Sequence, residues 1–150
     1  MFEGTIPVVT DEELETLLAV RMERQRMLYE RPTVPFSFIV EEHVFRRRFG
    51  DVEQMRAMLD HVLEHSAPRN VTFQIVPLEA GLHACLDGPV QLMETPERRR
   101  LAYSEGQQNG RLIADPKEVS LLYQRYDKLR SQALNPEDSR GLLKRLRGEL

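Results

Sequence analysis

At 150 residues, with 41% hydrophobic and 30% charged side chains, the chain has the composition of a globular domain and length enough to bury a core without disulfides or a structural metal. Its formal net charge of -3 supplies no overall attraction to phosphates, which argues against direct DNA binding by this chain alone. One cysteine, Cys85, excludes an intramolecular disulfide and a thiolate zinc centre, and no apolar run approaches the roughly 18 residues of a membrane span.

The first residues, Met1-Phe2-Glu3-Gly4, place an acid where a signal peptide carries positive charge. A soluble, cytoplasmic protein made of one domain over residues 1–150 is therefore expected, with no membrane partner.

In chain order, Thr10-Asp11-Glu12-Glu13 reads as a capping box, which predicts a helix over 11–30. Leu14, Leu17, Leu18, Met22 and Leu28 keep to one broad face of it, and Arg31-Pro32 ends it. Pro32 and Pro35 bracket a turn into Phe36-Ser37-Phe38-Ile39-Val40, whose aromatic and β-branched content predicts a buried strand with Glu41 and Glu42 at its end. A helical turn is expected at 43–49. Gly50-Asp51 then resets the chain for a helix through about His65, on which Val52, Met55, Leu59, Val62 and Leu63 have helical spacing.

Val71 to Val76 alternates as a second strand, so residues 36–76 read as a parallel β-α-β unit with a right-handed crossover. Segments 89–94, 101–105 and 111–114, separated by Pro96-Glu97-Arg98 and by Gly106 to Gly110, read as antiparallel strands added to that sheet. Asp115-Pro116 and Asn135-Pro136 each put a capping residue before a proline, predicting two C-terminal helices. The expected fold class is α/β: a mixed sheet of about five strands with a parallel βαβ core, an N-terminal helix and two C-terminal helices.

Four blocks carry a resemblance: Arg21-Met22-Glu23-Arg24-Gln25; Glu42 through Gly50; Val76-Pro77 with Gly81-Leu82-His83; and Ala133-Leu134 with Asp138-Ser139. Together they resemble the domain of unknown function that follows an Xre-type helix-turn-helix in actinobacterial, antitoxin-like regulators. The resemblance implies an effector or partner-binding domain that tunes a DNA-binding domain. Neither the helix-turn-helix nor the connecting segment stands ahead of the first block. The chain reads either as a fragment of a longer regulator or as a stand-alone member recruited to another role. The family supplies no catalytic residues to carry over.

Site candidates therefore come from the residues themselves. Glu42, at the carboxyl end of the first parallel strand, sits where open α/β sheets bind ligands, though it is as well placed to cap the next turn. His83 follows the second strand, and an imidazole there can act as acid, base or ligand-orienting donor. Cys85 would share its face in an extended chain, but no third group to orient a Cys-His nucleophile is identifiable. Arg21, Arg24 and Gln25 project donors from the first helix and complete a candidate ligand-binding set with Glu42 and His83.

His61-Val62-Leu63-Glu64-His65 matches the H-x-x-E-H spacing of inverted zinc peptidases, yet on an ordinary amphipathic helix with no third ligand in view. Arg46-Arg47-Arg48 and Arg98-Arg99-Arg100 are basic clusters of the kind that is usually just solvated. No cofactor or metal is called for. The leading expectation is a regulatory domain that binds a small molecule or a partner protein, with a homodimer as the default assembly. The alternative is a small cofactor-free enzyme, a cyclase or isomerase, with Glu42 and His83 as acid-base pair.

Overall fold

A computed structural model describes residues 9–106 and 109–150. The N-terminal residues on which the signal-peptide reading rests, and residues 107 and 108 within the Gly106 to Gly110 separator, lie outside the described residues.

Helix α1, Asp11–Glu30, starts on the capping box: the Thr10 amide donates to Glu13 Oε2 at 2.8 Å, and the Glu13 amide donates to Thr10 Oγ1 at 3.3 Å. Strand β1 runs Phe36–Glu41, helix α2 Glu42–Arg46, helix α3 Val52–His65 and strand β2 Val71–Val76. Gly50, at φ 64°, makes the turn that delivers Asp51 as the cap of α3, with Gln54 answering it in a second capping box. β1 and β2 form a two-stranded sheet. The Phe36 amide donates to the Asn70 carbonyl at 2.7 Å, which joins the starts of both strands and sets them parallel.

Strands β3 (Val90–Glu94), β4 (Arg100–Glu105) and β5 (Gly110–Ile113) form a separate antiparallel sheet in that order. Helices α4, Pro116–Gln132, and α5, Pro136–Gly148, complete the chain. The fold class is as the sequence implies, with five strands, an N-terminal helix and two C-terminal helices, but the strands fall in two sheets instead of one. Short hairpins give β3, β4 and β5 local ladder partners, and alternation alone cannot say which edge such a hairpin will join. The turn after β1 is also shorter than expected, ending at Arg46, with Glu42 as its first residue.

The chain forms two compact units. The first comprises the described residues up to Phe38, with His43–Phe73 and Pro136–Leu150. Here α3 buries Met55 and Leu59, and α5, packed on it, buries Leu142, Leu143 and Leu146. Arg140 Nη1 donates to the Leu63 carbonyl and to Ser66 Oγ, both at 3.1 Å, so it closes the carboxyl end of α3, where carbonyls lack helical partners. Arg147 meets Asp60 through both Nε and Nη2. Asn70 Nδ2 reaches the carbonyls of Leu28, Arg31 and Val34, which anchors the exit of α1.

The second unit comprises Ile39–Glu42 and Gln74–Asn135. Ala102 of β4, Ile113 of β5 and Val119 of α4 form its buried cluster, with Leu92, Leu122 and Tyr123 packed around it. The register puts Leu92 opposite Ala102 and Ala102 opposite Ile113, so one sheet face carries the cluster that α4 covers. Asp115 caps α4 by accepting from the amides of Lys117 and Glu118, each at 3.0 Å, with Pro116 at the first helical position.

The β3-β4 hairpin turns on Pro96-Glu97-Arg98, closed by bonds between Arg98 N and Thr95 O and between Thr95 N and Arg99 O, both 2.9 Å. This is the three-residue hairpin whose last position is left-handed, and Arg98 takes it at φ 64°. A side chain there costs about 1 kcal/mol, while its exposed pair with Glu94 returns little. Arg98→Gly is expected to stabilise the chain by about 1 kcal/mol and raise its melting temperature by about 2–4 °C. A lower melting point in a calorimetric scan would show that the Glu94 pair outweighs the strain.

Candidate functional site

The residues singled out by sequence separate by unit. Glu42 and His83 fall in the second, together with the loop that leaves β2; Arg21, Arg24 and Gln25 fall in the first, on α1. Both second-unit residues are buried, Glu42 at 3% exposure and the His83 side chain at 3%. Buried polar groups must be hydrogen-bonded to be tolerated, so their partners define what they do.

Glu42 Oε2 accepts the Leu78 amide at 3.0 Å, at the start of the 3-10 turn Leu78–Ala80. Gly81, at φ 66°, then redirects the backbone. His83 Nδ1 accepts the Cys85 amide at 3.2 Å, which places the proton of the neutral ring on Nε2. That Nε2 lies 3.5 Å from Glu41 Oε2, near enough for attraction but not hydrogen-bonded. The carboxylate facing His83 is thus Glu41, one residue before the expected Glu42. Gln132 Nε2, from the last turn of α4, donates to the Leu82 carbonyl at 3.3 Å, and its Oε1 is buried without a hydrogen-bond partner.

These contacts fasten the loop backbone at Leu78, Leu82 and Cys85 while its apolar side chains stay outside. Leu82 is 85% exposed, and Leu78 and Leu86 are also exposed. Sequence reasoning picked out Glu42 and His83 but missed Glu41, Gln132 and the display of the leucines. The legible signal was Leu78, Leu82 and Leu86 recurring every fourth position between Pro77 and Gly88, apolar residues where a surface loop is usually polar.

Neither of two concavities involves Glu42 or His83. An open groove of about 410 Å³ is lined by Val9, Glu12, Glu13, Thr16 and Leu17. A recess of about 50 Å³ is lined by Ala84, Cys85, Asp87, Gly88, Val90, Ser104, Leu122 and Arg125, well below the several hundred Å³ of ordinary ligand sites. Half-buried Cys85 lines the recess, and burial pushes its thiol above the usual range, against the pull of Arg125 and reinforced by Asp87. His83 Nδ1 meets the amide of Cys85, so that nitrogen is not available to activate the thiol.

On α1, Gln25 Nε2 donates to His61 Nε2 at 2.8 Å. The rings of His61 and His65 stack with centroids 3.8 Å apart, and His65 Nδ1 donates to the His61 carbonyl at 2.9 Å. These nitrogens serve helix contacts. Of the basic clusters, Arg98 and Arg100 both bond Glu94, and their hydrogen bonds hold its carboxyl below the usual range. Arg100 also lies over the Tyr123 ring at 4.6 Å, and Arg46 pairs with Glu149.

The sequence profile of a family described as Domain of unknown function (DUF5753) matches residues 1–145. The chain belongs to this family. No curated protein and no solved structure matches it. Among the described residues of this DUF5753 chain, no helix is long and apolar enough to cross a membrane.

Two outcomes test the site. Glu42→Ala removes the acceptor of the part-buried Leu78 amide and is expected to cost about 1 kcal/mol, whereas Glu42→Gln keeps an acceptor and costs less. Urea denaturation gives the difference, and amide exchange at Leu78 should quicken selectively in the alanine variant; equal midpoints would remove Glu42 from its post. Alkylation of Cys85 near neutral pH should run slower than that of an exposed thiol, severalfold faster in Asp87→Asn and slower still in Arg125→Ala. Rapid alkylation of the native chain would contradict the raised thiol.

Proposed function

We propose that this chain is a protein-binding regulatory domain, of the kind that accompanies an Xre-type helix-turn-helix in actinobacterial, antitoxin-like regulators. It acts by presenting a rigid apolar loop to a partner protein. The observation that supports this reading is Leu82: a large apolar side chain, 85% exposed, on a loop whose backbone is held by Glu42, Gln132 and His83.

An exposed leucine alone means little, because much of any protein surface is apolar. The fastening changes its meaning. Ordering an interface loop costs free energy on binding, and a loop already held in place avoids that cost. Leu78, Leu82 and Leu86 then offer a preformed apolar contact to a complementary groove. On this reading Glu42 and His83 position the loop, and neither touches the partner.

The test is a photo-crosslinking residue at position 82 in cells, with a control at exposed Lys128 on α4. One dominant protein adduct at position 82, absent from the control and lost when Leu78 and Leu86 are changed to Asp, is the expected result. Failure to crosslink, together with thermal stabilisation by a small metabolite that both Glu42→Gln and His83→Ala weaken, would replace this reading with a ligand-binding or acid-base site.

A further inference from the structure

The sequence has three asparagines, and the residue after each decides its chemistry. An asparagine side chain is open to attack by the backbone nitrogen of the next residue, which has to supply an N–H and leave room around it. Asn135 precedes Pro136, which has no N–H. Asn70 precedes β-branched Val71, and its Nδ2 is held by the carbonyls of Leu28, Arg31 and Val34. Asn109 precedes Gly110, whose missing side chain leaves its nitrogen the least crowded of all.

The fold turns that nitrogen outward. The Gly106 amide donates to the Asn109 carbonyl at 3.2 Å, which makes Gly106 and Asn109 a hydrogen-bonded pair across β4 and β5. Such pairs alternate along an antiparallel ladder, so Glu105 and Gly110, the next pair in register, point their backbone groups away from each other. Glu105 follows the alternation, its amide donating to the Pro89 carbonyl at 3.2 Å on the β3 side. The Gly110 amide points the opposite way, off the sheet, because β5 is an end strand. Asn109 and Gly110 are both exposed. Glycine is also obligatory here, since a β-carbon at position 110 would run into the ring and hydroxyl of Tyr103. The packing that needs glycine thus keeps an unhindered nitrogen beside Asn109.

We propose that Asn109 is a site of spontaneous covalent modification, through a cyclic imide formed with Gly110. The Gly110 nitrogen gives its proton to solvent base and bonds to Asn109 Cγ, and the Cγ–Nδ2 bond breaks with release of ammonia. One water then opens the imide. Cleavage between the nitrogen and Cγ leaves aspartate in a normal backbone, and cleavage between the nitrogen and the Asn109 backbone carbonyl carbon leaves isoaspartate. The balance is amide plus water to acid plus ammonia, with no other co-reactant. Attack requires Asn109 to leave its ladder position, and only the Gly106 rung at the end of the ladder has to open for that. Isoaspartate routes the chain through the side chain, which lengthens the backbone by one carbon and removes that rung. The pairing of Ala102 with Ile113 lies farther along β5 and keeps the buried cluster in place. This chemistry needs no partner, so it stands or falls apart from the loop around Leu82.

Ageing the full chain at physiological temperature, followed by tryptic mass spectrometry, reads all three asparagines together. Cleavage after Arg100 and Arg111 isolates residues 101–111, and cleavage after Arg130 and Arg140 isolates residues 131–140. Asn109 should gain the mass of an amide-to-acid conversion severalfold faster than Asn70, with Asn135 unchanged. The rate should rise with pH, because the nitrogen attacks as its anion. Isoaspartate should outweigh aspartate, since direct hydrolysis of the side-chain amide yields aspartate alone. A chain unfolded in guanidinium chloride should convert Asn109 only severalfold faster than the folded chain. Conversion at Asn70 ahead of Asn109, a product that is aspartate alone, or a folded chain whose Asn109 is as inert as Asn135 while the unfolded chain converts freely overturns the inference.

Discussion

Leu59 of α3 and Leu143 of α5 are removed from water entirely, and the first unit rests on the packing of those two helices. α5 is thirteen residues long and would not persist alone, so its helicity depends on burying Leu142, Leu143 and Leu146. Each buried leucine contributes about 1.5–3 kcal/mol, which makes this seam the largest stabilising interaction available to either helix. Polar contacts then fix its register: Arg140 at the open end of α3, and Arg147 on Asp60 along the side. With α3 held, Gln25 and Tyr29 of α1 have fixed partners in His61 and His65, and the exit of α1 takes its position from Asn70.

The second unit solves the same problem with a sheet. α4 covers one face of β3-β4-β5 around Ala102, Ile113 and Val119, while Met93, Tyr103 and Leu112 on the other face stay exposed. Its distinctive feature is polar burial. Taking a carboxylate, an imidazole and a carboxamide out of water is costly unless their hydrogen bonds are replaced, and their replacement partners are largely loop backbone. That polar burial supports one conformation of residues 78–85. Apolar side chains could have filled the same volume at less cost, so the polar choice points to a requirement for a particular loop shape.

How much of this was legible follows from how local each signal is. The caps at Thr10 and Asp115 could be read because donor and acceptor lie within three residues, and α1 and α4 begin where those signals put them; that Asp51 also caps its helix, with Gln54 answering it, came only from the structure. The strands could be read from composition, but their division into two sheets could not, because edge pairing depends on partners outside the strand. Glu42 and His83 stood out as titratable residues near strand ends. That His83 faces Glu41 was beyond reach, since a one-residue difference at a strand end sends the side chain to the other face. Gln132 lies fifty residues from Leu82, and no periodicity links them.

The arrangement around His83 also bears on why an acid-base enzyme is the weaker reading. A general base has to reach the proton it removes, directly or through one water. His83 spends Nδ1 on the Cys85 amide, turns Nε2 toward Glu41, and keeps its side chain almost wholly out of solvent. Glu42 spends an oxygen on the Leu78 amide. Freeing either group for substrate would release the loop segment it holds, so catalysis and loop order would compete for the same atoms. A display loop creates no such conflict: the residues that hold it are hidden, and the residue it offers, Leu82, makes no side-chain demand on the fold.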